Sequence, residues 1–433
     1  MSLIRLTIES LSHEGRGIAR HHGKTCFVTG ALPGETVEAR LVHRKARLEE
    51  YDTVTVLEAS ADRVTPPCAL YEQCGGCDLQ HLDAGGQIAH KQLSLLEQLF
   101  RQAGMEPDCI ELPLNSAMFG YRRRARLAVW VPRQGGKAVL GFRERRGNKV
   151  VAVDHCPVLE PALSSLPAAL TKAVAQLSYP QALGHIELSL SESTDHRDSP
   201  VVLLRSVAEV PEADRAIWTS LAIEQAAYVF LQDTTDGFEC LHAPIQEAPG
   251  YCLPEFKLRL GYSGGDFVQA NRVVNRALVK TVMEWLAPKS GEHMLDAFSG
   301  LGNFSLPMAR LGAHVLGLEV AAGMVAQAHA NALGNAVANV EFAVCDLQAE
   351  DVRLPTGHWD AVVLDPPRTG ALDLVKAIAK KKIKRVLYVS CNPGTLARDA
   401  KALAEKGYTL DRLALVDMFP QTAHIEALAL FRR

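Results

Sequence analysis

The chain has 433 residues, with 46 lysines and arginines against 49 aspartates and glutamates and a formal net charge of −3. At 48% hydrophobic and 22% charged residues it has globular composition and length for about three domains of roughly 150 residues, which excludes a largely disordered chain. Without a run of ~18 apolar residues a membrane span is not expected; ten cysteines are too sparse for a disulfide scaffold and fit a reducing cytoplasm; and the slight acidic excess, taken over the whole chain, argues against a nucleic-acid partner.

The opening run Met1-Ser-Leu-Ile-Arg-Leu-Thr-Ile-Glu9 lacks the basic end and long apolar stretch of a signal peptide, so export is not expected. Residues 1–60 then alternate short strands (3–8, 18–20, 25–28, 36–43 and 51–58) with turns at Gly15, Gly17, Gly23, Gly30 and Leu32-Pro-Gly34. That is the pattern of a small Greek-key barrel of the oligonucleotide-binding (OB) type. Cys68-x5-Cys74-x2-Cys77 follows, three thiols on a loop that Gly75-Gly76 allows to wrap tightly, and Cys156-Pro157 supplies a fourth. Four such thiols serve an iron–sulfur cluster or a four-cysteine zinc site; thiols with no metal are the plainer alternative. Residues 85–104 read as a helix with Leu95, Leu96, Leu99, Phe100 and Ala103 on one face.

Charge is not spread evenly. Between 117 and 150 stand ten basic residues (Arg122, Arg123, Arg124, Arg126, Arg133, Lys137, Arg143, Arg145, Arg146 and Lys149) and one acid, Glu144, interleaved with Phe119, Tyr121, Trp130 and Phe142. Guanidinium forks suit phosphates and aromatic faces stack on unpaired bases, so this window points to a nucleic acid. The bland alternative is a solvated charged hairpin around Gln134-Gly135-Gly136. The chain then reads as mostly β to residue 260 (127–131, 138–142, 185–190, 201–206, 228–232 and 257–260), with a helix at 161–177 and no assignable chemistry over 161–250.

From Gly291 strands (293–298, 314–319, 340–345, 361–364, 385–390) alternate with helices (303–311, 321–333, 371–381, 394–406), which argues a doubly wound parallel sheet. The last strands, 409–419 and 425–433, follow without a helix and should form an antiparallel hairpin at its edge. Lys380-Lys-Lys-Ile-Lys-Arg385 is read as a helix end and loop. In Leu295-Asp-Ala-Phe-Ser-Gly-Leu-Gly-Asn-Phe304, Gly300 and Gly302 let the first strand-to-helix turn approach a ligand closely. Glu319 ends the second strand, where a carboxylate accepts ribose hydroxyls, and Asp346 ends the third, where it can meet an adenine amino group. Asp-Ala-Phe-Ser-Gly-Leu-Gly is not GxGxxG; it resembles the first motif of S-adenosylmethionine-dependent methyltransferases. Asp365-Pro-Pro-Arg368 resembles the motif of methyltransferases that act on nucleobases and amides, which implies a planar nitrogenous substrate.

Ser390-Cys391-Asn392-Pro393 ends the fifth strand directly before a helix, whose dipole is expected to lower the pKa of the Cys391 thiol. A uracil C5 cannot attack a sulfonium methyl group unaided. Thiolate addition at C6 puts electron density on C5, and a base must later remove the C5 proton. Glu426 is the candidate base, with His424 its competitor on pKa grounds.

With these residues the chain resembles the bacterial RNA uracil-C5 methyltransferases, on Asp417-Met-Phe-Pro-Gln-Thr-Ala-His-Ile-Glu426, Ser390-Cys-Asn-Pro393 and Phe267-Val-Gln-Ala-Asn271, and over essentially its whole length. The resemblance implies Cys391 as nucleophile and Glu426 as base, with Gln269, Phe298, Asn303, Glu319, Asp346 and Asp365 lining the cleft for S-adenosylmethionine and substrate. The family often reads Asp-Pro-Ala-Arg and Phe-Cys-Gly where this chain has Asp-Pro-Pro-Arg and Phe-Ser-Gly; neither change removes a needed group. Glu14-Gly-Arg-Gly-Ile-Ala19 with Leu32-Pro-Gly-Glu35 resembles a TRAM domain, and Cys68, Cys74, Cys77 and Cys156 resemble the [4Fe–4S] ligands of the 23S rRNA branch. The implied organisation is a TRAM-like barrel (1–60), a mostly β iron–sulfur and RNA-binding domain (61–83 and 120–258) and a Rossmann-like α/β catalytic domain (84–119 and 259–433). The expected substrate is one flipped uridine in single-stranded or loop 23S rRNA, with no obligate protein partner. Methylation of another RNA, of cytosine or of a protein, and a non-catalytic iron–sulfur RNA-binding protein, are the alternatives.

Overall fold

A computed structural model describes residues 3–132, 136–193, 198–235, 237–350 and 352–433. Arg133 and the Gln134-Gly135 turn of the basic window therefore lie outside the described residues.

The N-terminal sheet has six strands: Ile4–Thr7, Ser10–Leu11, Gly17–His21, Lys24–Thr29, Thr36–Arg44 and Leu48–Glu58. It curls around a core of Leu6, Ile8, Ala19, Cys26, Val28, Val37, Ala39 and Tyr51. The Glu9 N–H donates to the Ile18 carbonyl at 2.8 Å and so brings the end of the first strand onto the third. The two-residue strand at Ser10–Leu11 is too short to carry an alternation, which is why only five strands are legible there.

A second, seven-stranded sheet has the order Val150–Ala152, Val139–Arg143, Arg124–Trp130, Leu183–Ser191, Ser199–Ser206, Tyr228–Gln232 and Phe238–His242. Helices at Leu166–Val174 and Glu212–Glu224 pack on it through Leu166, Leu170, Trp218 and Leu221. The second of these helices falls in the 161–250 stretch and was not anticipated. Four charges and a tryptophan within 13 residues blur its apolar stripe.

The third sheet is the doubly wound one. Its strands are β1 (His293–Ala297), β2 (His314–Glu319), β3 (Val340–Val344), β4 (Ala361–Leu364), β5 (Arg385–Ser390), β6 (Thr409–Val416) and β7 (Glu426–Arg432), in the order 3-2-1-4-5-7-6. β1 to β5 are mutually parallel and β7 runs antiparallel to both β5 and β6, as the missing helix required. Cys109–Ile110 adds a short parallel strand beyond β6. In β4, Ala361, Val362, Val363 and Leu364 are all fully buried, the continuous apolar run of a strand covered on both faces. One face packs on the helices α2 (Arg272–Leu286), α3 (Ser305–Arg310) and α4 (Ala322–Gly334). The other packs on α1 (Ala84–Gln98), α5 (Leu372–Lys381) and α6 (Pro393–Ala404).

Helix α1 is capped by Asp83, whose carboxylate accepts the Gly86 N–H at 2.6 Å, and continues through a π-helical turn at Leu99–Ala103 to the left-handed Gly104. Its buried stripe is Gln87, Lys91, Leu95 and Leu99, a spacing of four. Phe100, expected on the apolar face, is 59% exposed. Among the described residues no helix is long and apolar enough to cross a membrane. Phe431, wholly buried in β7 against α1, α5 and α6, tests the core: Phe431→Ala should cost ~3–5 kcal/mol in urea unfolding, without a change in slope.

Candidate active site and RNA-facing cavity

The carboxyl ends of β1, β2, β4, β5 and the start of β7 meet on one side of the sheet, where an open α/β sheet binds its ligands. After β1 the chain turns through Phe298 (φ +69°), Gly300 (φ +53°) and Gly302 (φ +94°). A Cβ on Gly302 would stand 3.1 Å from Leu306 and 3.3 Å from Phe342, so this turn closes only around glycine. Glu319 ends β2 and braces the turn: one oxygen accepts the Gly300 N–H at 3.2 Å and the other accepts the N–H groups of Val320 and Ala321 at 2.8 and 3.1 Å.

Other predicted cofactor residues are placed less directly. Asn303 is committed to protein contacts: it exchanges amide bonds with Asn275 at 3.0 and 3.2 Å and accepts the Tyr251 hydroxyl at 3.1 Å. Gln269 is held through its carbonyl, which accepts from Arg123 Nε at 2.8 Å. Asp346 is exposed beyond β3, where it accepts the Gln348 N–H at 3.0 Å.

Under the crevice stand three acids, Asp296 and Glu426 buried and Asp365 half-buried. Asp296 and Asp365, at the ends of β1 and β4, are both pushed up to about 7, chiefly by burial; their mutual repulsion adds to this at Asp365, while Glu319 adds to it at Asp296. Ser305 Oγ donates to one Asp296 oxygen and the other has no hydrogen-bond partner. Glu426 is 9% exposed and pushed up to about 8 by burial and by Asp365, against the pull of Lys91 and Arg368.

Cys391 stands next to these acids. Asn392 caps α6, its side chain accepting the Gly394 N–H at 3.0 Å, and Pro393 begins the helix. The expectation of a lowered thiol pKa is overturned. Burial, then Glu426 and Asp365, push Cys391 up to about 11, and Arg368 offsets only part of this. The residue sits one position outside the cap, and two acids act on it.

Cys391 opens on a cavity of about 610 Å³. Its walls are Arg368, Asn392, Gly394 and His424 from the catalytic sheet, Ser94, Gln98 and Gln102 from α1 and the turn after it, Asp78 from the cysteine loop, and His13 and Glu14 from the N-terminal barrel. The Arg368 guanidinium lies 3.2 Å from His424 Nδ1, and with burial it holds that imidazole below its ordinary pKa. The motif reading gave Arg368 no role, although it is the fourth residue of Asp-Pro-Pro-Arg.

The cysteine loop packs on the basic hairpin. Gly75 donates to the Arg143 carbonyl at 3.0 Å, and a Cβ there would stand 3.1 Å from two carbonyl oxygens. Arg145 spans the loop, donating to the carbonyls of Tyr71 and Cys77 at 2.9 and 2.8 Å. Cys68, Cys74, Cys77 and Cys156 line one cavity of about 180 Å³ with Tyr71, Phe142 and Pro157. Burial pushes Cys77 up to about 12 and raises Cys74 and Cys156. Among the described residues no three His, Cys, Asp or Glu side chains form a group able to hold a single metal ion.

The basic window divides in two. Arg123 is buried against Glu192 at 2.5 Å, Arg124 pairs with Glu187 at 3.1 Å, and Arg145 is spent on the loop. Arg126, Lys137, Arg143, Arg146 and Lys149 are exposed, as is Trp130, and Arg146 also reaches Asp52 of the barrel at 2.7 Å.

A glycine turn after β1, an acid ending β2 and a 3-2-1-4-5-7-6 sheet define the methyltransferase class of α/β fold. A family model for tRNA (Uracil-5-)-methyltransferase matches residues 256–433, and one for the TRAM domain matches residues 2–47. The 23S rRNA (uracil(1939)-C(5))-methyltransferase RlmD of Pseudomonas aeruginosa is 42% identical over 99% of this chain and 93% of its own length. The RlmD proteins of Pseudomonas entomophila and Alkalilimnicola ehrlichii are 44% and 41% identical over 99% of this chain and 93% and 96% of theirs. The crystal structure of Pyrococcus abyssi tRNA (uracil-54, C5)-methyltransferase in complex with S-adenosyl-L-homocysteine is similar at a TM-score of 0.72 and 25% identity, covering 99% of this chain and 100% of that one. The chain belongs to the RNA uracil-C5 methyltransferases, in the RlmD group.

The raised pKa of Asp365 has a consequence for stability. Its carboxyl keeps a proton in the folded state that the unfolded chain has released above pH ~4, so stability is full below that and is lost as pH rises through about 7. Asp365→Asn should match the wild-type Tm at pH 4 and exceed it at pH 8, read by thermal melts at both.

Proposed function

We propose that this protein transfers a methyl group to C5 of a uracil in 23S rRNA, at the position that the relatives' name gives as 1939. The observation that carries the reading is one cavity with Cys391 in its wall and His13 and Glu14 of an RNA-binding barrel at its mouth, above buried Glu426. A uridine flipped out of its RNA enters that cavity. Cys391 adds to C6, and electron density moves to C5. S-adenosylmethionine supplies the methyl group. Glu426 takes the C5 proton, the C5–C6 double bond re-forms and the thiolate leaves. Glu426 is preferred to His424 because its charge acts directly on Cys391, whereas the imidazole is turned onto Arg368.

Gly300, Gly302 and Glu319 hold the cofactor side of the crevice, and Phe298 and Asp365 flank it. Gln269, Asn303 and Asp346 complete the expected lining. The barrel (1–60) and the exposed half of the central basic window grip single-stranded RNA, and the alternating segment with 84–119 forms the catalytic domain. Acting on ribosomal RNA, the protein works in the cytoplasm.

Cys68, Cys74, Cys77 and Cys156 are assigned to a [4Fe–4S] cluster. A single zinc would need its four sulfurs roughly 3.8 Å apart around one point. Four thiols lining one cavity of about 180 Å³ suit a cluster whose irons each take one cysteine. When bound, it would fix the 68–77 loop against the Arg143–Arg145 backbone.

Two experiments test these readings. Cys391→Ala should abolish methylation of a 23S rRNA fragment, and Glu426→Gln should accumulate a denaturant-stable protein–RNA adduct on gels; an adduct trapped by His424→Gln instead would reassign the base. Protein purified without oxygen should be brown, with about four irons per chain by elemental analysis; stoichiometric zinc would overturn the cluster.

A further inference from the structure

One pair of opposite charges near the crevice is not used by the methyl transfer above. Lys91 on α1 and Asp417 after β6 are 326 positions apart, 0% and 1% exposed, with Nζ 2.6 Å from Oδ1. The same ammonium donates to the Phe419 carbonyl at 3.0 Å, and the second Asp417 oxygen has no hydrogen-bond partner. A buried ion pair is a poor stabiliser, because apolar side chains of equal volume do as well or better. Stability therefore does not explain why a lysine occupies the core face of α1.

Its neighbourhood does. The charged and titratable groups facing Glu426 are Asp365 after β4, Asp417 and Cys391 on the negative side, and Arg368 and Lys91 on the positive. Arg368 is exposed to the cavity, already directed at His424, and within reach of any phosphate that enters. Lys91 is sealed in the interior, where solvent does not screen it and RNA does not reach it.

We propose that Lys91 is a positioning residue for the proton-removal step. Its positive charge draws Glu426 toward the carboxylate form, against the burial and the acids that favour the proton, and Asp417 sets how much of that charge Glu426 feels. The inference rests on Glu426 as the base. In that step the C5–H bond breaks, its electron pair forms the C5–C6 double bond, the proton passes to the Glu426 carboxylate, and the Cys391–C6 bond breaks to release the thiolate. A Glu426 that already carries a proton cannot accept another, so the adduct persists.

The test is the pH profile of adduct resolution in single turnovers of the full-length enzyme with a 23S rRNA fragment. Lys91→Met should move the ascending limb to higher pH, leaving roughly tenfold slower resolution at pH 7 for each unit moved. Asp417→Asn, which leaves Lys91 uncompensated, should move the limb to lower pH, and Lys91→Arg should restore the wild-type position. A purely structural pair would slow these variants without moving the limb, or move Lys91→Met and Asp417→Asn in the same direction, and either result overturns the inference. If Lys91→Met does not fold, the Asp417→Asn limb decides alone, an unmoved limb being the negative outcome. Normal resolution in Glu426→Gln would remove the base and the inference together, whereas an adduct trapped there with unmoved limbs elsewhere would overturn the inference only.

Discussion

The loop from Asp417 to His424 carries no regular hydrogen bonding of its own yet runs through the interior, so each buried polar group on it must find a partner elsewhere. The partners come from four separate parts of the chain. Gln87 of α1 accepts the Gln421 N–H at 2.9 Å, and the Gln421 carbonyl accepts from Asp78 and Leu79 of the cysteine loop at 2.8 and 2.9 Å. Tyr121, just before the central sheet's Arg124–Trp130 strand, donates to the Pro420 carbonyl at 2.8 Å, and the Asp417 N–H donates to the Leu114 carbonyl at 2.8 Å. Gln421 itself is held at φ +70°, a conformation that a side chain adopts only when its surroundings impose it. The loop delivers the chain to Glu426, so that carboxyl is positioned by everything that satisfies the loop. The cysteine loop enters the catalytic site here, through the backbone of Asp78 and Leu79, with Arg145 bracing Cys77 from the other side.

The acids follow from where that loop leads. A site that binds a sulfonium and moves a proton needs carboxylates, and a site that excludes water must bury them. Asp296, Asp365 and Glu426 are therefore poised near neutrality rather than near 4. Cys391 shares the field and is the harder group to ionise, which makes cations in the cleft part of the chemistry: Arg368 from the cavity side, Lys91 from beneath, and the positive charge of the methyl donor when it binds.

The catalytic sheet was legible in the sequence because parallel strands buried on both faces read as apolar runs, with ligand residues falling at their ends. β4 and β5 are legible for that reason, and so is the glycine turn after β1. Lys91 and Gln87 were not legible. They occupy the core stripe of α1 at the spacing an apolar residue would take, and a periodicity argument reads polar residues there as solvent-facing. What they bond to lies about 330 residues away, beyond any local pattern. The arginine window was legible as charge but not as geometry: Arg123 and Arg145 look identical to Arg126 and Lys149 in composition, yet the first two are bound inside the protein. Cys391 stands at the end of β5 as expected but has the opposite electrostatics: the sequence put Asp365 and Glu426 in its cleft, yet how strongly they outweigh a helix dipole is set by the packing.

The barrel's placement bears on how RNA gripping and chemistry are joined. Gly15 (φ +73°) sits where a Cβ would come within 2.7 Å of the Leu79 side chain and 3.5 Å of the Ala423 methyl, so the barrel turn packs on both the cysteine loop and the catalytic loop. The residues just before it, His13 and Glu14, form part of the cavity wall that Cys391 opens on. RNA held by the barrel is thus already at the mouth of the active site. A flexible tether would require an additional docking step for each encounter; a turn packed directly on both loops requires none. The ordering of RNA against the cleft is then a property of the folded protein.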